Sequence, residues 1–536
     1  MNSTSQNFIL KSDLSKLPNK DILQNLIKES KYLDTSFVNG LRRYIISKIN
    51  TLAFEYSPTP QEVNYINFTK NNSDMNNDFI GHRIGLLPIN IIGVKYLLLI
   101  YKIIKAHTAE LDNIIKETDN DIIMKKLNTN LKLSDKNNIT LIHDFIFYIN
   151  QTTNNDIEEI TTKHIQLKFA NNSIKINDYK DKIKQYSKLL NIYQDKTTLN
   201  NFYKINHDSL SESDILKIIF PTFVSPEKKE YGILLAKIKK YNKLQCDFKL
   251  NIGNGQKHSR YNTVSPCTYS FVIDKKMAEK VITNKLQQEN LLIENFTQTI
   301  KNNKIIDFIT NRYKNLTDFN LTTKLSKERI NFLEDEDDKY DIDSLTSEQE
   351  EYLQKFIISK DTLINNFNKC EIQRSFYGKE EHNIYERQFD FTIESVGFYN
   401  PEKIFNKGFK LLKNDILFYI NKIISMLNDS STFPIKSNDY TIDSSTKIIN
   451  GVDIYCIDSS HTIGNIISSY LYYLYKTTNE VSFISYKMIH PLKNTMLITI
   501  SFNSEIEDIN RATLNLFNNL NNIFQNININ NFINSK

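Results

Sequence analysis

Several stretches of this chain place apolar residues at steps of three and four, and the strands beside them are too short to cover the apolar faces that result. Phe37, Val38, Leu41, Ile45 and Ile49 fall on one face of a helix in TSFVNGLRRYIISKINTLAF. Asn400 followed by Pro401 starts another: a capping side chain, then the residue whose missing N–H is harmless at the first helical position. Ile404, Leu411, Leu412, Ile416, Ile420, Ile423 and Ile424 carry that stripe onward. Ser459 or Ser460 can cap a helix striped by Ile463, Ile466, Ile467, Tyr470, Leu471 and Leu474. Ser504 and Glu507 have capping-box spacing ahead of Ile506, Ile509, Leu516, Phe517, Leu520, Ile523 and Phe524. Beside these helices run alternating strands, with Phe389, Phe391 and Ile393 on one and Met496, Ile498, Ile500 and Phe502 on the other. Apolar faces left over by small sheets seek one another.

Elsewhere the pattern is looser. Residues 1–20 read as a polar tail, and 55–270 mix strand-like runs with Asn-rich connectors. From 276 to about 330 the pattern is helical and Lys/Glu-rich, ending in the acidic run EDEDDKYDID at 334–343, an expected exposed loop. NDSSTFPIKSNDY at 428–440 has linker composition. The most apolar run, GVKYLLLIYKII at 93–104, carries Lys95 and Lys102 and is too short to span a bilayer, so it reads as a buried strand or helix. FIL at 8–10 is followed at once by Lys11 and is too short for a signal peptide. Cys246, Cys267, Cys370 and Cys456 form no C-x-x-C pair, which argues against a zinc site or a disulfide framework and for a reducing compartment. With 67 basic against 62 acidic residues, charge alone predicts no bulk nucleic-acid binding. These features point to a soluble, intracellular, multidomain chain.

Motifs for self-contained chemistry are missing. IGNGQKHS at 252–259 has Gly253 and Gly255 but no phosphate-loop continuation, and the acidic run lacks D-x-D-x-D order. No His lies in H-E-x-x-H, and no G-x-S-x-G elbow occurs. The expectation is therefore no catalytic residues, no cofactor and no metal. NDFIGHRIGLLPIN at 77–90 is the most specific local pattern. It reads as a short helix capped by Asn77 or Asp78, with Phe79, Ile80 and Ile84 as its apolar face and His82 and Arg83 among them. Gly85 suits a left-handed end, and Pro88 prevents the helix from resuming.

NGLRRYIISKINTLAFEY (39–56) followed by DFIGHRIGLLPI (78–89) resembles the paired blocks of alpha-type assembly subunits of multisubunit DNA-dependent RNA polymerases. Asn39, Leu41, Arg42, Arg43, Ala53, Phe79, His82, Arg83, Gly85, Leu86 and Pro88 stand at matching positions. GNGQKHSRYNTVSPCTYSF (253–271) is similar to a block of the third subunit of eukaryotic RNA polymerase II and its archaeal relative. There Gly253, Gly255, His258 and Tyr269 fit and Pro266 is off register. FDFTIESVGFYNPEKIFNKGFKLL (389–412) resembles that subunit's returning strand and helix, with Glu394, Ser395, Gly397 and Pro401 in place. The C-terminal segment resembles the eleventh subunit instead, through His461-Thr462-Ile463-Gly464-Asn465 and through Tyr486, His490, Pro491 and Leu492. Residues 100–200 and 275–385 lack any such block and look like lineage-specific insertions.

The resemblance implies an α+β fold, an alpha-type dimerisation module whose two halves are related by a pseudo-two-fold axis. Residues 21–55 and 386–430 would form the third-subunit-like half, and 441–536 the eleventh-subunit-like half after a linker at 431–440. A middle domain (56–275) and a helical, acidic insertion (276–385) would interrupt the first half. One chain would then carry both partners of the assembly heterodimer, as in polymerases of large DNA viruses of eukaryotes. Dimerisation would fall to Ile45, Ile49, Leu412, Ile416, His461, Ile463, Gly464, Asn465, Ile467, Leu471, Phe517 and Leu520. Asn39, Leu41, Arg42, Arg43, His82, Arg83, Gly85 and Pro88 would form the partner interface, with the two arginines of the dimerising helix and the His-Arg block facing the second-largest subunit. The implied partners are the largest and second-largest subunits and smaller polymerase subunits, with DNA met only through the complex and no membrane involved. Cellular third subunits often bind zinc or an iron–sulfur cluster in the middle domain, but only Cys246 and Cys267 lie there, without ligand spacing. The expected site of action is an infected cell's cytoplasmic factory or the virion, with the host nucleus as the alternative. The rival reading is a nucleic-acid-binding, transcription-associated module built on KKEYGILLAKIKKYNK (228–243), against the plainer reading of a Lys-rich solvated face.

Overall fold

The computed structural model describes residues 5–11, 33–57, 65–105, 107–133, 135–171, 174, 176–197, 211–220, 222–224, 230–299, 306–307, 309–310, 346–379, 387–396, 399–429, 433–475, 480–490, 492–503, 506, 508–528 and 533–534. They group into two compact units: Met1–Gln6, Gly40–Thr268 and Thr392–Asp415 in one, Asn7–Asn39, Tyr269–Phe391 and Ile416–Lys536 in the other. The division falls inside two helices, Thr35–Ser47 and Pro401–Asp429.

The first unit is built on an antiparallel sheet in the order Thr51–Phe54, Lys243–Gly253, Phe145–Thr152, Gln166–Phe169, with Ile66–Asn71 also paired to Lys243–Gly253. The long strand alternates buried Leu244, Cys246, Phe248 and Leu250 with outward residues, as a one-face-buried strand must. Phe248 and Phe147 both set ring edges against Phe54, at 4.7 and 5.4 Å. The apolar run at 93–104 is helical: Ile91–Ile104 is buried on nearly every side. Its cap, Asn90, accepts from the N–H of Ile92 at 3.0 Å and donates to the Ile218 carbonyl at 3.0 Å. Short helices such as Asn120–Asn130, Lys136–His143 and Ser187–Asp195 add to this core, so the region expected to be strands and connectors is substantially helical. Their apolar stripes are short, and Asn-rich composition hid them.

The second unit holds the sheet of the C-terminal segment, with strands Ile435–Lys436, Tyr440–Ser444, Gly451–Cys456, Lys493–Phe502 and Val481–His490 in that order, all neighbours antiparallel. The expected face is buried, with Met496, Ile498 and Ile500 at zero exposure. Helix His461–Tyr475 lies on it, and Gly464 marks the closest approach, since an added Cβ would overlap Met496 and Tyr486. Helix Ile509–Asn526 completes the layer with Leu516, Phe517, Leu520 and Phe524 buried. A separate cluster joins helices Lys275–Gln288, Ile293–Thr299 and Ser347–Asn366 through Ile282, Phe296 and Phe356, in the helical insertion.

Some local expectations give way. Ser5–Lys11, within the supposed polar tail, is a strand that pairs Ile9 with Asn534 and Leu10 with Ile533. The linker at 431–440 contains the strand Ile435–Lys436 and meets the next at Tyr440, because Ile435 and Tyr440 are apolar enough to be buried. Helix Ile509–Asn526 is capped by Asp508, which accepts from Arg511 N–H at 3.0 Å. Ser504 and Glu507 of the expected capping box lie outside the described residues, as do Gly397, Pro491 and the acidic run 334–343. Asn400 does cap Pro401–Asp429, accepting from Glu402 N–H at 2.9 Å.

Candidate protein-docking site

Helix Asn77–Gly85 carries the His-Arg block, and its geometry departs from the local reading at both ends. The cap is Asn76, whose side chain accepts from Phe79 N–H at 3.0 Å. Gly85 is not left-handed. The helix closes on Leu86, whose N–H returns to the His82 and Arg83 carbonyls at 3.1 and 3.3 Å. The glycine is needed for space, since a Cβ there would stand 3.1 Å from the Phe54 carbonyl and 3.4 Å from the Arg260 guanidinium. Gly81, one turn earlier, would drive a Cβ into the Tyr56 ring. The buried face is thus Ile80, Gly81, Ile84 and Gly85. Phe79, expected on that face, is 65% exposed, and Leu86 is 62% exposed. His82 and Arg83 lie exposed between them in the last turn, where the Arg83 charge complements the helix dipole.

The exposed His82 and Arg83 side chains are held from beneath. Tyr56 packs its ring edge-on against His82 at 5.6 Å and donates its hydroxyl to Asp78; burial and that carboxylate push the phenol up to about 12. Arg83 Nη1 donates to the Leu235 carbonyl at 3.1 Å, which fixes the guanidinium root. Arg260 donates to the Phe54 and Tyr56 carbonyls at 3.4 and 3.1 Å and so links the block at 253–271 to the His-Arg helix. His258 accepts from Arg260 N–H at 3.1 Å, and burial, Arg260 and His82 together lower its pKa. Glu55 anchors the loop through Lys257 at 2.7 Å, Tyr261 at 3.2 Å and Asn251. Burial opposes its ionisation, but these partners hold its pKa below the usual range.

The same loop closes helix Thr35–Ser47. Gln256 N–H caps the Ser47 carbonyl at 3.0 Å, Thr263 donates to the Ile45 carbonyl at 3.5 Å, and Gly255 passes where any Cβ would strike the Ile46 carbonyl. Three motif blocks far apart in sequence therefore converge on one surface, joined by Arg260. Sequence reasoning missed Arg260, Tyr56 and Glu55, because their contacts are tertiary and no spacing announces them. Leu41 is buried, Asn39 and Arg42 are half-buried, Arg43 is exposed and Pro88 half-buried.

Of the residues assigned to dimerisation, Ile45, Ile49, Leu412, Ile416, Ile463, Gly464, Ile467, Leu471, Phe517 and Leu520 are buried. Asn465 is half-buried, and His461 is exposed with its ring 6.0 Å from Tyr486. Gly408 lets helix Pro401–Asp429 cross helix Thr35–Ser47 against Ile45. In the second unit, Phe37 stacks on Phe524 at 6.1 Å and meets Tyr470 edge-on at 6.4 Å, while Tyr470 and Phe524 are 4.9 Å apart. Asp34 starts this helix. It accepts from Ser36 N–H at 2.8 Å, and its buried carboxylate pairs with Arg387 at 3.0 Å. Within helix Pro401–Asp429, Tyr419 donates to the Asp458 carbonyl at 2.7 Å.

The Lys-rich stretch of the rival reading is occupied. Lys237 pairs with Glu159 and Lys239 with Asp74, both at 2.8 Å, on the outward face of a strand whose Leu235 and Ile238 are buried; Lys228 and Lys229 lie outside the described residues. Burial pushes the Cys246, Cys267 and Cys456 thiols up to about 12. Among the described residues no group of His, Cys, Asp or Glu is arranged to hold a metal, and no helix is long and apolar enough to cross a membrane.

Sheets backed by long apolar helices, with aromatic contacts joining opposite ends of the sequence, define the class: an α+β dimerisation fold. The chain belongs to the family of the RNA polymerase Rpb3/Rpb11 dimerisation domain, whose profile matches residues 30–416, and a second profile of the same description matches 452–528. It is an alpha-type RNA polymerase assembly subunit with two such domains, and subunits of this type are non-catalytic. A comparison with curated proteins gives no match.

Proposed function

We propose that this chain is a single-chain fusion of the third- and eleventh-subunit-like partners and serves as the assembly platform of a DNA-directed RNA polymerase of the large-DNA-virus type. The observation that carries the reading is the occurrence of two dimerisation domains in one polypeptide, with Phe37 from the first packed against both Tyr470 and Phe524 of the second. Fusion makes the pairing intramolecular, at an effective concentration of roughly millimolar for a short linker, and removes one bimolecular step from assembly.

The docking surface for the second-largest subunit is the exposed ridge Phe79–His82–Arg83–Leu86, with Arg42 and Arg43 as further contacts. Two exposed apolar anchors flanking His82 and Arg83 match the composition of interface cores, where aromatic residues and Arg are enriched. Arg83 uses Nη1 on Leu235, and its remaining donors suit a bidentate carboxylate or a carbonyl pair. The largest subunit and smaller subunits complete the assembly, nucleotidyl transfer belongs to the two largest subunits, and DNA is reached through the complex. The place of action is the infected cell, in a cytoplasmic factory or the virion.

The test is affinity purification of tagged chain from cells that contain its polymerase, with quantitative mass spectrometry. Fixed stoichiometry with two large subunits is expected. Arg83→Glu should lose the second-largest subunit while circular dichroism and the melting temperature stay unchanged. Full assembly on the Arg83→Glu chain removes the proposed surface, and a purified chain without polymerase subunits removes the reading.

A further inference from the structure

The cleft beside the His-Arg helix continues into a group of cations that the docking ridge does not use. Leu86, Pro88, Arg260, Val396 and Tyr399 share this cleft, and Val396 is 41% exposed. Tyr399 packs on the first unit's core, and Lys407 holds its ammonium 5.5 Å from the Tyr399 ring centroid. Lys403 and Lys407 stand exposed in the first turns of helix Pro401–Asp429 and act electrostatically on half-buried Lys95, from helix Ile91–Ile104. Burial and these two neighbours lower the Lys95 pKa to about 8. No carboxylate among the described residues pairs with Lys95, Lys403 or Lys407. Like charges gathered beside an apolar strip, with burial lowering the pKa of both Lys95 and Lys407, are an arrangement that folding alone does not favour.

We propose that Lys95, Lys403 and Lys407, with the apolar strip from Leu86 to Tyr399, form a second docking surface that takes a carboxylate-rich segment of a partner polypeptide. The inference rests on the assembly-subunit reading only for the identity of that partner. Charge complementarity selects the carboxylates, and continuity with the Arg83 ridge places the segment on a polypeptide already seated there. A nucleic-acid strand fits less well. The strip beside the lysines is aliphatic, and the Tyr399 face is covered by Lys407, so bases have no platform on which to stack.

Zero-length carbodiimide crosslinking of the native complex tests this, because it joins amines only to carboxylates in direct contact. Crosslinks from at least one of the three lysines to Asp or Glu of another polypeptide are expected, with the same lysines protected from acetylation in the complex and reactive in the free chain. Lys95→Gln/Lys407→Gln should weaken retention of that polypeptide by at least tenfold in moderate salt, and Lys95→Arg/Lys407→Arg should restore it. Unchanged melting temperatures identify folded variants. Lysines that stay reactive within an intact polymerase complex overturn the surface and leave the assembly reading standing. Crosslinks to a partner in a complex without polymerase subunits keep the surface and sink the assembly reading. Protection abolished by nuclease identifies a nucleic-acid occupant and overturns the proposal.

Discussion

Gly85 shows how a single residue can be recognised correctly for the wrong reason. The sequence marks a position where only glycine suits, and a left-handed helix end is the usual cause; here the backbone is ordinary and the constraint is the approach of Phe54 and Arg260. Gly85→Ala should therefore destabilise the chain by about 1–2 kcal/mol through overpacking, and Gly81→Ala by more, because the Tyr56 ring gives way less easily. Urea unfolding checks the order, and equal or stabilising effects would return Gly85 to a purely local role. Lys95 poses the converse case, a cation in an apolar run whose environment no spacing reveals. Its folded pKa of about 8 lies below the ordinary 10.5, so the unfolded chain holds more protons between those values. Stability then rises as pH climbs from 8 to 10.5, and the penalty is complete below pH 8. Lys95→Met should stabilise the free chain at pH 7 by on the order of 1 kcal/mol, a discounted figure because the side chain is half-exposed, and the gain should vanish near pH 10. A gain independent of pH would remove the electrostatic account.

Elements with long uninterrupted stripes are legible in the sequence, and their ends are legible only where the cap is local. The stripe from Ile404 to Ile423 and the Asn400–Pro401 start locate helix Pro401–Asp429, since period and cap are both local. Helix Thr35–Ser47 is equally plain in its Phe37–Ile45 face, but its start is fixed by Asp34 and by Arg387, which comes from far along the chain. Such a partner leaves no local trace. Asp34→Ala removes a cap contributing about 1 kcal/mol and leaves Arg387 without its buried carboxylate, so a loss of about 2–4 kcal/mol is expected in urea unfolding. Asp34→Asn keeps a capping oxygen and should recover part of it. If Ala and Asn cost the same, the cap contributes nothing and the ion pair alone matters. The short helices between 109 and 219 left no such trace for the opposite reason: few turns each, polar Asn in several of them, and stability drawn from a shared core rather than from their own pattern.

At the scale of the molecule, the unpaired apolar faces demanded covering, and the resemblance of both ends to partner subunits proposed what covers them. What no motif could supply was the particular contact: Phe37, near the start, packs against both Tyr470 and Phe524, near the end, and Tyr470 is so enclosed that burial and nearby Asp34 raise its pKa well above 10. Phe37→Ala should cost about 3–5 kcal/mol, the range for emptying a packed aromatic site. If that contact, and not the covalent connection, holds the two domains as a pair, the connection can be cut. A protease site inserted between Ser430 and Thr432 should give two fragments that co-elute in size exclusion at micromolar concentration, because the buried aromatic cluster and the Tyr419–Asp458 contact persist after cleavage. Cleaved Phe37→Ala chain should separate on dilution where the cleaved wild type does not. Wild-type fragments that part immediately would mean that the pairing exists only through the tether, and the comparison with two free partner subunits would lose its physical basis.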